Sequence, residues 1–174
     1  MKWLFRIFAF ILILFIGLCA IGAFLPSTQR VDKTIEIAAE IEDVYAVVSD
    51  LQSYPEWSGF GGDLSNWVFG DIATGLGQTA AWQFSETKAD QFGSLEVLQV
   101  ERNEYVRLRA SDHTGEHIMT IAMTEKDDGT SCLIQAERQF GGFPFFGRIA
   151  GFRQKTKIEA SLDQAASGLV DLFQ

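Results

Sequence analysis

Ile7 to Leu25 is an unbroken run of 19 residues without a charge or a strongly polar side chain. As a helix it rises about 28 Å, close to the thickness of a bilayer's hydrocarbon core. Trp3 and Phe5 precede the run, where aromatic rings suit a membrane interface, and Pro26 closes it. Three readings of this leader compete. A cleaved signal peptide has a shorter apolar region, about 7–15 residues, although Ala20-Ile21-Gly22 offers a passable cleavage site. Ile16-Gly17-Leu18-Cys19 resembles a lipoprotein signal, but Leu18 is large for the position before the cysteine. The length favours a retained transmembrane anchor over residues 1–26. Lys2, Arg6 and the terminal amine precede the helix, while Arg30 and Lys33 follow it among Asp32 and Glu36. That asymmetry predicts a cytoplasmic N-terminus and a single pass, with the rest of the chain outside, in the periplasm of a Gram-negative cell.

Residues 27–174 have the size of one domain. The chain is 47% apolar and 13% aromatic, enough for a substantial core. Its net charge is −9. The leader holds only basic residues, so the domain alone is more acidic still. Such a surface repels phosphate backbones, and no nucleic-acid partner is expected. Cys19 lies in the leader, which leaves Cys132 as the domain's single thiol and no internal disulfide. With no C-x-x-C and only His113 and His117, no metal site is expected, and no cofactor either.

Val31 to Ile37 alternates, with Val31, Lys33, Ile35 and Ile37 on one face, and predicts a strand. Ile41, Val44, Tyr45, Val47 and Val48 recur at helical spacing, with Glu40, Glu42 and Asp43 near the helix start. Asp50 and Ser53-Tyr54-Pro55 are read as a stop and a turn. Strands are then predicted over Leu64–Phe69, Gln78–Ser85, Gln91–Val100, Tyr105–Ala110, Glu116–Thr124 and Ser131–Phe140. Gly75 and Gly77, Asn103-Glu104 and Asp127-Asp128-Gly129 supply turns. After the Phe-rich stretch Gly141–Gly147, no proline interrupts the chain to Phe173. Ile149, Phe152, Ile158, Leu162, Ala165, Ala166, Leu169, Val170 and Phe173 mark one amphipathic helix of about 25 residues. A helix that long, following an antiparallel sheet, is expected to lay its apolar face on the concave side.

This order resembles the START-like superfamily, also called SRPBCC or the polyketide cyclase/dehydrase and lipid-transport group. Phe24-Leu25-Pro26-Ser27 resembles the anchored bacterial members. Val44 to Asp50 with Tyr54-Pro55-Glu56-Trp57-Ser58 resembles the family's helix and tryptophan-bearing turn. Gly75-Leu76-Gly77 resembles its glycine turn, and Phe143-Pro144-Phe145-Phe146-Gly147-Arg148 the segment that enters its last helix. Members often continue the Trp-Ser pair with Pro-Trp, where this chain has Gly59-Phe60, so the cavity mouth is expected to differ. The resemblance implies an α+β helix-grip fold: a curved antiparallel sheet wrapped around a long C-terminal helix, here preceded by one transmembrane helix. It also implies an apolar cavity for a lipid or other hydrophobic small molecule, with catalysis present in some members and absent from many.

Trp57, Phe60, Trp67, Phe69, Trp82 and Phe84 are the cavity-lining candidates, since an apolar ligand needs aromatic walls and few polar groups. The competing reading makes them ordinary core. Arg138 shares an alternation with Cys132, Ile134, Ala136 and Phe140; it either pairs with a ligand carboxylate or phosphate from inside, or ends a strand in water. Arg107 and Arg109 are read onto the solvated face. His113 and His117 are read onto a hairpin loop, with no nucleophile placed by any motif, and no catalytic residue is assigned. Arg148, Arg153, Lys155 and Lys157 follow the Phe-rich segment, and apolar plus basic side chains suit either a membrane surface or a plain solvated helix face. Three functions follow: a membrane-anchored binding module, a cyclase/dehydrase-type enzyme, or an interaction protein whose interior is filled.

Overall fold

A computed structural model describes residues 2–60, 67–83, 92–112, 115–140 and 146–174, without the side chains of 2, 146–147, 149–154 and 157. Helix α1 runs Lys2–Phe24, and most of its side chains stand exposed. Its Trp3–Phe24 stretch is long and apolar enough to cross a membrane. Strand β1 (Thr28–Ile37) follows, then α2 (Ile41–Val48).

The stop read at Asp50–Pro55 is itself helical. Leu51–Ser53 forms a 3₁₀ turn and Tyr54–Trp57 a short helix, α3, with Pro55 in its first turn. Proline is tolerated there because the first amides of a helix have no intrahelical acceptor. Asp50 caps the 3₁₀ turn by accepting from the Gln52 amide at 2.9 Å.

Strands β2 (Trp67–Phe69), β3 (Thr79–Gln83), β4 (Phe92–Glu101), β5 (Tyr105–Asp112), β6 (Gly115–Lys126) and β7 (Gly129–Gln139) complete an antiparallel sheet in the order β1-β7-β6-β5-β4-β3-β2. β1 closes onto β7, the last strand, with Thr28 opposite Gln139 and Ile37 opposite Thr130. A register shift between Val97 and Gln99 puts a bulge in β4. Bulges bend the strand that carries them, which suits a curved sheet. β1 starts earlier than the alternation alone predicts, and β6 runs from Gly115 to Lys126, past both ends of the expected Glu116–Thr124.

Helix α4 (Phe146–Asp171) is the long C-terminal helix, and the helix-grip α+β architecture expected from the sequence is present. It lies against β1, β7 and α3. Among its described side chains Leu162, Ala165, Ala166 and Leu169 are buried, as the periodicity requires, and Lys33 of β1 reaches Asp163 at 2.6 Å. Ile149 and Phe152 lie outside the described side chains. α2 packs on β6 and β7 and α4 on β1 and β7, in a core that includes Ile37, Ile121, Met123, Cys132 and Ile134. Gly168 makes the α3–α4 seam possible: a Cβ there would overlap the Trp57 carbonyl.

The 3₁₀ turn is fastened to the sheet by buried Gln78. Its Oε1 accepts from the Leu51 amide at 3.0 Å, and its Nε2 donates to Ala73 O at 2.6 Å and to Asp50 Oδ1 at 3.2 Å. A buried amide satisfied on both sides fixes the chain where an apolar side chain would not.

Candidate functional site

The register of the sheet assembles two rungs of inward-facing residues at the end of the sheet nearest α1. One rung runs Phe69, Ala80, Leu95, Ala110 and His117 through successive strand pairs. One step beyond the Ile118–Glu137 pair brings Arg138 beside His117, and Gln29 stands opposite Arg138 on β1. The outer rung runs Trp67, Trp82, Gly93, Asp112 and Gly115. Phe140 lies at its far end, where its amide donates to Ser27 O at 2.7 Å.

On the β2–β3 side the wall is aromatic. The Trp67 and Trp82 rings are 4.8 Å apart, Phe60 stacks on Trp82 at 5.7 Å, and Phe69 on Trp67 at 6.0 Å. Both tryptophans are buried, and Phe60 and Phe69 partly so. The Trp82 indole lies flat across Gly93, where any Cβ would overlap it. Trp67 Nε1 is buried with no hydrogen-bond partner.

On the β6–β7–β1 side the wall is polar within an apolar frame. Arg138 is only 8% exposed. Its guanidinium sits over Gly115, whose φ of 128° also suits glycine alone, and 5.3 Å from the Phe140 ring centroid. Asp112 accepts from the Gly115 amide at 3.1 Å. Gln29 Oε1 is buried and has no hydrogen-bond partner. Burial holds the His117 imidazole below its ordinary range; Asp112 and Glu116 pull it up, and Arg138 pushes it down.

The lowered His117 pKa has a measurable consequence. The folded state keeps a neutral imidazole while the unfolded chain protonates near 6.5. The unfolded state therefore binds more protons, and stability is lost as pH falls below 6.5 until the folded pKa is passed. The fall in melting temperature between about pH 7.5 and about pH 5.5 is expected to be larger in the wild type than in His117→Gln. Equal falls would show that His117 has no such role.

Arg138 is thus inward and buried, not at a strand end in water. His117 is in β6, not on a loop: Gly115, His117, Met119, Ile121 and Met123 share one alternation, and the strand expected over Glu116–Thr124 already contains His117, although its pairing with His113 reads it onto the hairpin. Asp112 and Gln29 were missed because their strands were drawn too short. Trp57 stands apart, in the α3–α4 seam, donating through Nε1 to Ser53 Oγ at 3.1 Å and packing 4.5 Å from the Tyr54 ring. Phe84 and His113 lie outside the described residues. Arg107 is exposed and Arg109 pairs with Glu96 at 2.9 Å on the outer face. Cys132 is fully buried, and burial pushes its thiol up to about 11, which makes it an inert core residue.

The same end of the sheet meets α1. Arg148 of α4 donates to Leu25 O at 3.2 Å and Ala23 O at 3.4 Å, two carbonyls at the end of α1. Helix C-terminal carbonyls lack intrahelical donors and favour a cation. An open surface depression of about 660 Å³ occupies the opposite end, lined by Glu36, Glu125, Lys126, Asp127 and Asp128 among others. Its charged rim does not suit an apolar molecule. Among the described residues no group of His, Cys, Asp and Glu could hold a metal ion.

The family model described as polyketide cyclase / dehydrase and lipid transport matches residues 28–174. No curated protein matches the chain. Among solved structures, the KanY protein shares 17% identity at a TM-score of 0.58, over 85% of this chain and 99% of that one. A protein from Rhodobacter sphaeroides shares 16% at 0.57, over 83% and 91%. DynU16, from the dynemicin biosynthetic locus, shares 16% at 0.56, over 84% of this chain; the alignment spans 46% of DynU16. At these identities the likeness is one of fold.

Proposed function

Because the chain belongs to the polyketide cyclase/dehydrase and lipid-transport family, we propose that it is a membrane-anchored module that binds a hydrophobic small molecule or lipid, with no chemical step required. α1 is the anchor, with the N-terminus in the cytoplasm and the domain outside. The ligand lies on the concave face against Phe60, Trp67, Phe69 and Trp82.

The observation that carries this reading is the coincidence of two features at one end of the sheet. The aromatic rungs and the end of α1 lie at the same end of the sheet, where the Phe140–Ser27 and Arg148–Leu25 hydrogen bonds hold the end of β7 and α4 to the chain leaving α1. A binding face beside the anchor stands at the bilayer surface, where an apolar ligand has the shortest path out of the lipid. Stacked rings with few polar groups supply the contact such a ligand needs.

Native mass spectrometry of the detergent-extracted full-length chain, with extraction of what co-purifies, tests the reading. About one apolar small molecule per chain is the expected result. A chain that carries none, and takes up none when lipid is added, would overturn it in favour of a filled interior.

One observation favours a cyclase- or dehydrase-type enzyme: a neutral imidazole, His117, faces inward beside Asp112 and Arg138. A neutral histidine near an acid can move a proton. An added ligand recovered chemically unchanged supports binding alone. A product that forms with the wild type and not with His117→Gln supports the enzyme.

A further inference from the structure

We infer that the ligand is an amphiphile with an anionic oxygen at its polar end, and that Arg138 holds that oxygen while the apolar body lies along the Trp67–Trp82 wall. This rests on the binding reading above.

Arg138 is 8% exposed and lies on the inward face of the sheet, where an anion it holds is shielded from bulk water. The fold makes specific room for the guanidinium. Gly115 replaces a side chain directly beneath it, and Phe140 offers its ring at 5.3 Å. A planar fork of N–H donors matches a carboxylate or phosphate better than any other side chain does. The next residue on the rung, Gln29, has a buried Oε1 without a hydrogen-bond partner. Such an orphan calls for a donor from a bound molecule, here an O–H carried by the same head.

Charge decides which side of Arg138 the head occupies. Asp112, on the outer rung toward β5, repels an anion. Glu116 faces the other way and is drawn to Arg109, 3.4 Å away, on the outer surface. The head therefore lies toward β1, between Arg138 and Gln29. β1 is also the strand that continues from α1, so the head faces the bilayer surface while the body reaches across the sheet.

A carboxylate from a free fatty acid and a phosphate from a phospholipid share this chemistry. The test separates charge first and source second. The full-length chain in maltoside micelles is stripped of ligand and incubated with equimolar oleic acid and methyl oleate, and native mass spectrometry reads the ratio bound. The wild type is expected to favour the acid by about tenfold, the scale of one charge-assisted hydrogen bond. Arg138→Gln is expected to bring the ratio near one while still binding the ester. Asp112→Asn is expected to raise the ratio, because the opposing charge is gone. A parallel competition between phosphatidylglycerol and diacylglycerol, which lacks the phosphate, assigns the source: preference for the phospholipid places a phosphate in the site, and its absence alongside acid preference places a fatty acid there. Both oleoyl probes bound equally by the wild type would overturn the inference and leave the binding reading intact. Neither bound, with the fold preserved by circular dichroism, would overturn the binding reading itself.

Discussion

Trp57→Ala is expected to destabilise the domain by about 3–5 kcal/mol, the range for removing a large aromatic side chain from a core. Trp57 is 2% exposed and stands where three features meet. Its ring packs on Tyr54, its indole N–H holds Ser53 Oγ, and its carbonyl lies under Gly168 of α4. Ser53 Oγ is also bonded to the Val47 and Asp50 carbonyls, so the loss spreads to the end of α2. Chemical denaturation of the domain measures the effect directly. A loss below about 1 kcal/mol would show that α4 does not depend on this seam. Trp57→Phe keeps an aromatic plug and should recover most of the stability, because only the indole N–H and part of the ring are missing.

Gly93→Val is expected to reduce both stability and ligand affinity, by about 1–3 kcal/mol in stability and about tenfold or more in binding. The added side chain takes the place of the Trp82 indole. That ring cannot step aside cheaply, since Phe60 stacks on one side of it and Trp67 lies against it at 4.8 Å. The aromatic wall must therefore open. Tryptophan fluorescence reports the displaced ring, and uptake of an apolar probe reports the wall. Unchanged probe affinity with a displaced Trp82 would remove the aromatic wall from the binding site. The comparison variant is Gly17→Ala in α1, where a Cβ meets nothing, and it should change neither reading.

Much of the architecture is legible in the sequence because it is local. An uninterrupted apolar run, strand alternation and the 3.6-residue spacing of Leu162, Ala165, Ala166 and Leu169 each announce themselves within a few turns of chain. Boundaries were less legible. β1 begins at Thr28 and not at Val31 because pairing with Gln139 holds Thr28 to Arg30 in the sheet, a contact across more than a hundred residues. The Asp50–Pro55 segment is read from sequence as a stop and lies in two helical turns, held by Gln78 just before β3. Tertiary contacts override local turn signals there.

The candidate site divides along the same line. The aromatic residues Trp67, Phe69 and Trp82 fall on alternating positions, so their common face was readable from the chain. Arg138 was readable as inward by the same rule, with its destination open. The sequence by itself determined the apolar N-terminal helix, the kinds of element and the face each side chain takes, since all three follow from short-range period and composition. Only the tertiary structure decided the neighbours. Strand register set Gln29, Arg138 and His117 on one rung, placed Gly93 and Gly115 under Trp82 and Arg138, and brought that end of the sheet to the end of α1. Register is a non-local quantity: a slip of one residue would turn every one of these side chains to the other face, and no stretch of sequence alone records which pairing wins.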